Sequence, residues 1–107
     1  MTNVRIAYVT APNAEVAEQL ARSLVDKRLC ACVNVLVGVR SFYRWEGQVC
    51  DDAELLLMVK TTADCVDALT QTVEDEHPYD VPEVIVVDVA GGSVPYLDWV
   101  RSATSST

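Results

Sequence analysis

The sequence predicts an α+β fold in which a long antiparallel hairpin lies between two βαβ units and a further helix follows. Two observations predict this class. Apolar residues recur at helical spacing in separate segments, and they alternate with a period of two along residues 31–61. With 107 residues, half of them hydrophobic, the chain has room for one core, so we expect a single domain over residues 1–107.

The first two elements are predicted to be a strand and a helix. Residues 4–11, VRIAYVTA, are rich in β-branched and aromatic side chains and end before Pro12, which is typical of a strand. Asn13 is a suitable N-cap for a helix over residues 14–29. The apolar face of that helix would contain Ala17, Leu20, Ala21, Leu24 and Val25.

The central segment predicts a long hairpin. Residues 31–45 carry apolar side chains at almost every odd position, which indicates a strand with a bulge or bend at Gly38. Residues 46–48 form the turn, and residues 49–61 return as a second strand. If odd positions of both strands are to share a face, the hairpin needs a three-residue loop or a bulge, because a plain two-residue turn gives the other register.

A second helix and a short strand follow the hairpin. Residues 62–77 have helical periodicity, with Thr62 as a candidate cap and His77 before the Pro78 that ends the helix. Residues 84–89 are apolar except for Asp88, which favours a central strand buried on both faces.

The C-terminal segment predicts one more helix. Ser93 can cap a helix over residues 94–103, and we expect residues 104–107 to be a frayed tail. The order is therefore β-α-β-β-α-β with an extra C-terminal helix. Two right-handed crossovers around a hairpin give a ferredoxin-like sandwich.

The hairpin is too long for a compact domain of this size. Arms of about thirteen residues reach ~43 Å, whereas a globule of this length has a diameter of roughly 34 Å. We expect the hairpin to overhang and to be covered by another subunit, with Tyr43 and Trp45 as interface anchors. The alternative is a bend at Gly38 that folds the hairpin back on its own core.

The net charge of −8 restricts the partners. It disfavours nucleic acid and anionic membranes, and it is compatible with cations or with a protein partner on the acidic surface. The first residues contain no cleavable hydrophobic segment, so we expect a cytoplasmic protein.

The four cysteines show no metal-binding spacing. Cys30 and Cys32 flank one alanine and would share a strand face, and the chain has no C-x-x-C motif. We interpret Cys32 as a small buried residue, with a role as thiolate ligand as the less favoured alternative. The roles and redox states of Cys30, Cys50 and Cys65 stay open.

Residues 74–84, EDEHPYDVPEV, are the most unusual stretch. Three acidic residues stand at the predicted C-terminus of a helix, where they oppose the helix dipole. They directly precede His77, the only histidine, and Asp80 and Glu83 follow it. An imidazole with carboxylates is a reasonable ligand set for a divalent metal. The alternative is a surface histidine that caps helix carbonyls beside solvated acids.

Lys60 is the second candidate for a functional role. It could pair with a carboxylate such as Glu83, meet an anionic ligand in a cleft, or simply end a strand in solvent. The sequence contains no nucleophile elbow, phosphate-binding loop, dinucleotide fingerprint or H-E-x-x-H motif, so we do not expect an enzyme.

Five segments, taken in order, form a recognisable set of motifs: YVTAPN (8–13), ACVNVLVGVRSFYRWEGQV (31–49), LLLMVKTT (55–62), HPYDVPEVIVV (77–87) and PYLDWV (95–100). Together they resemble the CutA family of divalent-cation tolerance proteins. The resemblance implies a ferredoxin-like homotrimer whose hairpins pack across subunits, and a role in the tolerance of copper or other divalent cations.

The resemblance also implies particular site residues. His77 aligns with the histidine used in copper assignments of the family; where some members have a second histidine, this chain has Glu76, and where they have a cysteine it has Val9. We therefore expect weak binding of Cu²⁺ or Zn²⁺ at His77 and Glu76. The family positions near the subunit interface are Tyr43, Trp45, Lys60 and Glu83, and Cys32 matches a family cysteine.

Three functions remain open on this basis. The first is a trimer that binds divalent metal ions. The second is a signalling trimer similar to the PII proteins, which would bind a small anion in intersubunit clefts lined by Lys60, Glu83 and Trp45. The third is a structural trimer that docks an unknown protein partner.

Overall fold

The computed structural model describes residues 2–105 and contains the predicted elements in the predicted order. The strands are β1 (Val4–Ala11), β2 (Cys32–Trp45), β3 (Gln48–Thr62) and β4 (Ile85–Asp88), and the helices are α1 (Ala14–Asp26), α2 (Val66–Glu76) and α3 (Val94–Ala103), with a 3₁₀ turn at Ala63–Cys65. The four strands form one antiparallel sheet in the order β2-β3-β1-β4. This is the order of a ferredoxin-like sandwich, so the predicted fold class is confirmed.

Helix α1 begins as predicted and ends three residues early. The Asn13 side chain accepts a hydrogen bond from the backbone N–H of Val16 at 2.9 Å. At the other end Arg28 adopts a left-handed conformation with φ of 59°, and the N–H of Leu29 returns to the carbonyl of Leu24. Val25, expected on the apolar face, is 44% exposed because the helix ends beside it.

The main core lies between the sheet and the first two helices. Its buried residues are Ala7, Val9, Ala11, Ala17, Leu20, Leu24, Leu29, Cys30, Leu57, Val59, Leu69 and Val73. A smaller cluster of Val4, Leu97 and Val100 attaches α3. The alternating positions of β1 and β3 that face α1 and α2 are thus fully covered within one chain.

The hairpin obtains its register from a bulge. Next to the core Val33 pairs with Val59, so odd positions face odd positions as predicted, but beyond Gly38 the register shifts by one residue. Gly38 has a φ of +84°, which glycine adopts without strain. The loop itself is a two-residue turn at positions 46–47, where both φ values are positive. The bulge is therefore confirmed, and the three-residue loop is wrong.

The part of the hairpin beyond the bulge, residues 39–54, is called the outer hairpin below. The molecule measures 44 × 24 × 21 Å, so the long arms make it elongated and do not fold back onto the core. Large apolar side chains stay exposed along this region, including Val37 (78%) at the bulge and Phe42 (63%) and Val49 (69%) beyond it. The overhang is confirmed.

Strand β4 is not the central strand that the apolar run predicted. It is four residues long and pairs only with β1, which places it at an edge of the sheet, and Ile85 is 55% exposed. The central strands are β1 and β3. The crossover topology decided this, because it leaves β4 without a second neighbour in the chain.

The C-terminal segment corrects a further expectation. Thr104 is buried, and the N–H of Ser105 donates to the carbonyl of Arg28 at 2.8 Å, so these residues of the expected frayed tail pack against the domain. Residues 106–107 lie outside the described residues. Across the part of the chain that the structure describes, no helix has the length and apolar character needed to cross a membrane.

Candidate functional site

A cavity of about 710 Å³ lies beside the outer hairpin. The hairpin, the end of β1 and the segment after α2 contribute its lining: Thr10, Ser41, Phe42, Tyr43, Trp45, Glu54, Pro78, Tyr79, Asp80, Val81 and Glu83. The structure thus brings Tyr43, Trp45 and Glu83 together within one chain, while the intersubunit cleft expected from the sequence stays a prediction.

His77 stands immediately behind this cavity and is only 7% exposed. Its Nε2 lies 2.8 Å from the carbonyl oxygen of Thr10, and its Nδ1 accepts the N–H of Tyr79 at 3.1 Å. A carbonyl oxygen only accepts, so Nε2 carries the hydrogen and the ring is a neutral imidazole with both nitrogens engaged. His77 therefore ties the segment after α2 to the end of β1.

The structure does not bring Glu76 to His77. The Glu76 carboxylate accepts hydrogen bonds from Lys27 at 2.7 Å and from Ser23 at 3.0 Å, and the bond from Lys27 holds the pKa of this carboxyl below its usual value. No group of three His, Cys, Asp or Glu side chains within residues 2–105 is arranged to hold a metal ion. The metal site at His77 and Glu76 stays a prediction, and a metal there would have to displace existing bonds.

The alternative interpretation of His77 as a surface histidine is wrong, because its side chain is buried and bonds to a strand carbonyl. His77 does cap α2, but through its backbone N–H, which donates to the carbonyl of Val73 at 2.9 Å. Its ring packs against the ring of Tyr79, with centroids 4.7 Å apart. The imidazole thus helps to position Tyr79 in the cavity wall.

Tyr79 and Glu54 form a polar contact in the wall of the cavity. The Tyr79 hydroxyl donates to Glu54 Oε2 at 3.0 Å, and Glu54 is only 8% exposed. Burial, followed by this hydrogen bond, raises the pKa of Tyr79 to about 12. Desolvation and then the charge of Glu54 raise the pKa of Glu83 above its usual value.

The sequence analysis did not predict Glu54 as a residue of the cavity and expected Tyr79 to have only a packing role. The available signals were an acid inside the run AELLLMV, at a position that a covered strand would bury, and a tyrosine two residues after the only histidine. Tyr43 contributes a second hydroxyl, which donates to Asp52, and this bond raises the Tyr43 pKa.

Lys60 lies apart from the cavity. It pairs in the sheet with Cys32 and Ile6, near the inner end of β3, and its ammonium donates to the side chain of Asn34. The ion pair with Glu83 that we considered is not formed. The cavity lining contains three carboxylates and no Lys, Arg or His among the described residues.

Cys30 and Cys32 differ from the expected arrangement, in which both share a strand face and Cys32 is buried. All four are free thiols. Cys30 precedes β2 and lies in the main core, where burial raises its pKa to about 12, whereas Cys32 is only half-buried. The interpretation of Cys32 as the buried core residue is therefore wrong, and Cys30 has that role.

These features define a class of protein: a ferredoxin-like sheet with an overhanging hairpin and an acidic, aromatic cavity beside it. The model of the CutA1 divalent ion tolerance protein family matches residues 5–103, and the chain belongs to this family.

The chain is similar to curated proteins of several kingdoms. It is 46% identical over 99 residues to the divalent-cation tolerance protein CutA of Thermus thermophilus, covering 92% of this chain and 96% of that protein. It is 48% identical over 104 residues to human Protein CutA, covering 97% of this chain but 58% of the human protein. The chain therefore spans little more than half the length of the human relative.

Solved structures show the same fold. The Thermus thermophilus Cut A1 structure superposes with a TM-score of 0.93 at 45% identity, covering 95% of this chain and 99% of that one. The CutA1 structure from Oryza sativa gives a TM-score of 0.94 at 45% identity over 97% of this chain and 95% of that one. A CutA from Archaeoglobus fulgidus, described as periplasmic, gives a TM-score of 0.91 at 32% identity, covering 94% of this chain and 97% of that one.

Proposed function

We propose that the protein is the subunit of a cytoplasmic homotrimer that contributes to divalent-cation tolerance, with copper among the cations. In this proposal it acts by binding and not as an enzyme. The observation that supports it best is the exposed apolar surface of the hairpin.

Two properties of the hairpin support association. Val37, Phe42 and Val49 are each more than 60% exposed, so residues 2–105 leave a large apolar surface uncovered. Strand β2 is also an edge of the sheet, with unpaired backbone groups along one side. Another copy that packed on this region would cover both. The number of three subunits is what membership of the family suggests.

The mass in solution tests this part of the proposal. Sedimentation equilibrium of the wild type should give three times the chain mass of 11.7 kDa. Val37→Asp, which places a charge on the hairpin surface, should lower the mass, whereas Val25→Asp on α1, at another exposed valine, should not. A wild type that sediments as a monomer at micromolar concentration would contradict the proposal.

The proposed cation site comprises His77 and Glu76. Cys32 is not part of it, because the sheet register places Cys32 at the level of Ile6, whereas His77 bonds to Thr10. Because both His77 ring nitrogens and the Glu76 carboxylate already have partners, a bound metal must replace at least one hydrogen bond. We therefore expect weak binding of Cu²⁺ and still weaker binding of Zn²⁺.

Calorimetric titration with Cu²⁺ tests the metal site. His77→Ala should abolish the heat of binding, Glu76→Gln should reduce it, and Cys32→Ser should leave most of it. Glu74→Gln, which removes an acid at an exposed position of the same helix, serves as the control. Equal isotherms for wild type and His77→Ala would remove His77 from the site.

The signalling function similar to PII proteins is the second candidate. In its favour, Tyr43, Trp45 and Glu83 line one cavity large enough for a small molecule. Lys60 does not line that cavity, so an anionic ligand would lack the expected positive partner. A thermal-shift screen of anionic metabolites on wild type and Lys60→Ala tests this candidate; a stabilisation that Lys60→Ala removes would favour it over the metal function.

A further inference from the structure

Two opposite charges of the outer hairpin have no ionic partner within the described chain, and we propose that they pair between subunits. In this pairing Arg44 of one copy enters the cavity of the next copy and binds Glu54 of the partner subunit. The inference rests on the proposed homotrimer and deepens it, because it names the two surfaces that meet. The cavity is then filled by the neighbouring copy in the assembly and is not an open pocket.

The first argument is the environment of Glu54 within one chain. Among residues 2–105 it is the only buried Asp or Glu, it accepts one hydrogen bond, from the Tyr79 hydroxyl at 3.0 Å, and it forms no ion pair. A buried ionised carboxylate is costly unless a cation or several donors compensate it. Because Glu54 lines the cavity, a side chain of another subunit that enters the cavity can supply this cation.

The second argument is that Arg44 is the matching cation. Its side chain is exposed and forms no ion pair among residues 2–105. The other basic side chains have partners in their own chain: Arg5, Arg22, Lys27, Arg40 and Arg101 in ion pairs, Arg28 at the carbonyl of Ser102, and Lys60 at the side chain of Asn34. Arginine also suits this cavity, because a guanidinium binds a carboxylate through two parallel hydrogen bonds and stacks on aromatic rings such as those of Trp45 and Tyr79.

The third argument is the sheet register, which prevents the pair from forming within one chain. Arg44 is directly opposite Val49, so the two side chains share one face of the outer hairpin, called the front face below. Glu54 is five residues from Val49 on the same strand, which places it on the other face, called the back face, and about 17 Å further along. Only another copy can therefore bring a guanidinium from the front face to the carboxylate on the back face.

The symmetry of three subunits favours contact between these two faces. Contact between identical faces is isologous and gives pairs, whereas a closed ring of three needs a heterologous contact, in which different surfaces meet. The front face exposes Val49 (69%), and the back face borders the cavity of about 710 Å³. A front face that packs on the back face of the next hairpin covers Val49 and brings Arg44 to the partner's Glu54 in the same contact.

Sedimentation velocity over a dilution series tests the pair. Arg44→Gln keeps an exposed polar side chain and removes its charge, so the variant should fold and should dissociate at a protein concentration about tenfold or more above that of wild type, because the partner's Glu54 loses its cation. Arg22→Gln is the control. It makes the same change on α1, where Arg22 already pairs with Glu18, and should dissociate like wild type.

A double-mutant cycle and a mixing experiment identify the interacting charges. Glu54→Gln keeps an acceptor for Tyr79, and combining it with Arg44→Gln should weaken the assembly little beyond the single variants, because both remove the same pair. Arg44→Glu and Glu54→Lys should each assemble poorly alone, since like charges then meet. Their mixture should partly recover the trimer mass, because two of the three contacts in a mixed ring are complementary. A pair within one chain could not produce this recovery.

Three results would overturn the inference: unchanged dissociation of Arg44→Gln, additive effects of Arg44→Gln and Glu54→Gln, or no recovery in a mixture of the two charge-reversed variants when circular dichroism shows both to be folded. If Glu54→Lys does not fold, the cycle of neutral variants decides alone. A wild type that sediments as a monomer contradicts the proposed homotrimer itself, whereas a wild-type trimer with any of these three results removes only this pairing.

Discussion

The inner and outer parts of the hairpin contain similar side chains in different surroundings. On β3, Leu57 and Val59 are fully buried, whereas Val49, nearer the tip of the same strand, is 69% exposed. Helices α1 and α2 cover the inner part, and the outer hairpin extends past both. The comparison shows that alternation of apolar residues predicts a strand with an apolar face, while the surroundings decide what covers that face.

The cavity lies where these two parts meet. Its walls come from the outer hairpin on one side and from the segment that His77 ties to β1 on the other. The buried inner sheet and the overhanging hairpin together create a concave surface that neither has alone. The following experiments test this contrast.

Thiol reactivity should show the largest difference between the two parts. Burial raises the pKa of Cys30 to about 12, so at a given pH it should contain about a thousandfold less thiolate than an ordinary cysteine. Cys65 is also buried and has a raised pKa, while Cys50 of the outer hairpin is half-buried. Labelling at pH 8 followed by mass spectrometry of peptides should modify Cys50 well before Cys30. Equal rates would mean that the inner core opens readily.

Core truncation should produce the next largest effect. Leu57→Ala removes a fully buried side chain from the inner sheet and should lower the free energy of unfolding by about 2–5 kcal/mol. Val49→Ala on the same strand should cost less than ~1 kcal/mol when the protein is dilute enough to be monomeric. Urea denaturation measures both. A larger loss for Val49→Ala that grows with protein concentration would instead indicate that the outer hairpin is buried between copies.

Substitution of His77 should have an intermediate effect on the free energy of unfolding, because this residue joins the two parts. His77→Leu leaves the Thr10 carbonyl and the Tyr79 N–H without their partner and should cost about 1–3 kcal/mol. His77→Gln can still donate to Thr10 and should recover part of this loss. Urea denaturation of the two variants measures the difference, and equal stability of both variants and wild type would show that this contact does not hold the segment in place.

The ion pair of Glu76 should have the smallest effect. Lys27 lowers the folded-state pKa of Glu76. The ion pair therefore contributes to the free energy of unfolding above the unfolded-state pKa, and this contribution is lost as pH falls through the folded-state pKa. Both side chains are at least a third exposed, so Glu76→Gln should cost less than ~1 kcal/mol at pH 7. Unfolding at pH 7 and at about pH 3 tests this, because the difference from wild type should become smaller in acid. Glu74→Gln should show no such change.

Much of the fold could be predicted because it depends on local patterns. Asn13 is a cap in both the sequence prediction and the structure, Gly38 marks the bulge, and His77 ends α2. The position of β4 could not be predicted, because an apolar run has the same composition at the centre and at the edge of a sheet. Its edge position follows from which strands the crossovers bring together.

The candidate site was less predictable than the fold. Tyr43, Trp45 and Glu83 were expected to share a cleft, and they line one cavity, whereas Lys60 lies elsewhere and Glu54 was missed. Glu54 and Tyr79 are 25 residues apart in sequence, and their contact depends on the register shift at the bulge and on the anchoring of His77. Neither requirement has a local sequence signal.

The sequence by itself determined the order of elements, the overhanging hairpin and the concentration of acids around His77. These features follow from periodicity, chain length and composition, which are properties of neighbouring residues. Only the tertiary structure decided that the His77 ring is engaged, that Cys30 and not Cys32 joins the core, and that Glu54 is buried in an acidic, aromatic cavity. The reason is physical: burial and hydrogen-bond partners arise from segments distant in sequence that the fold brings together.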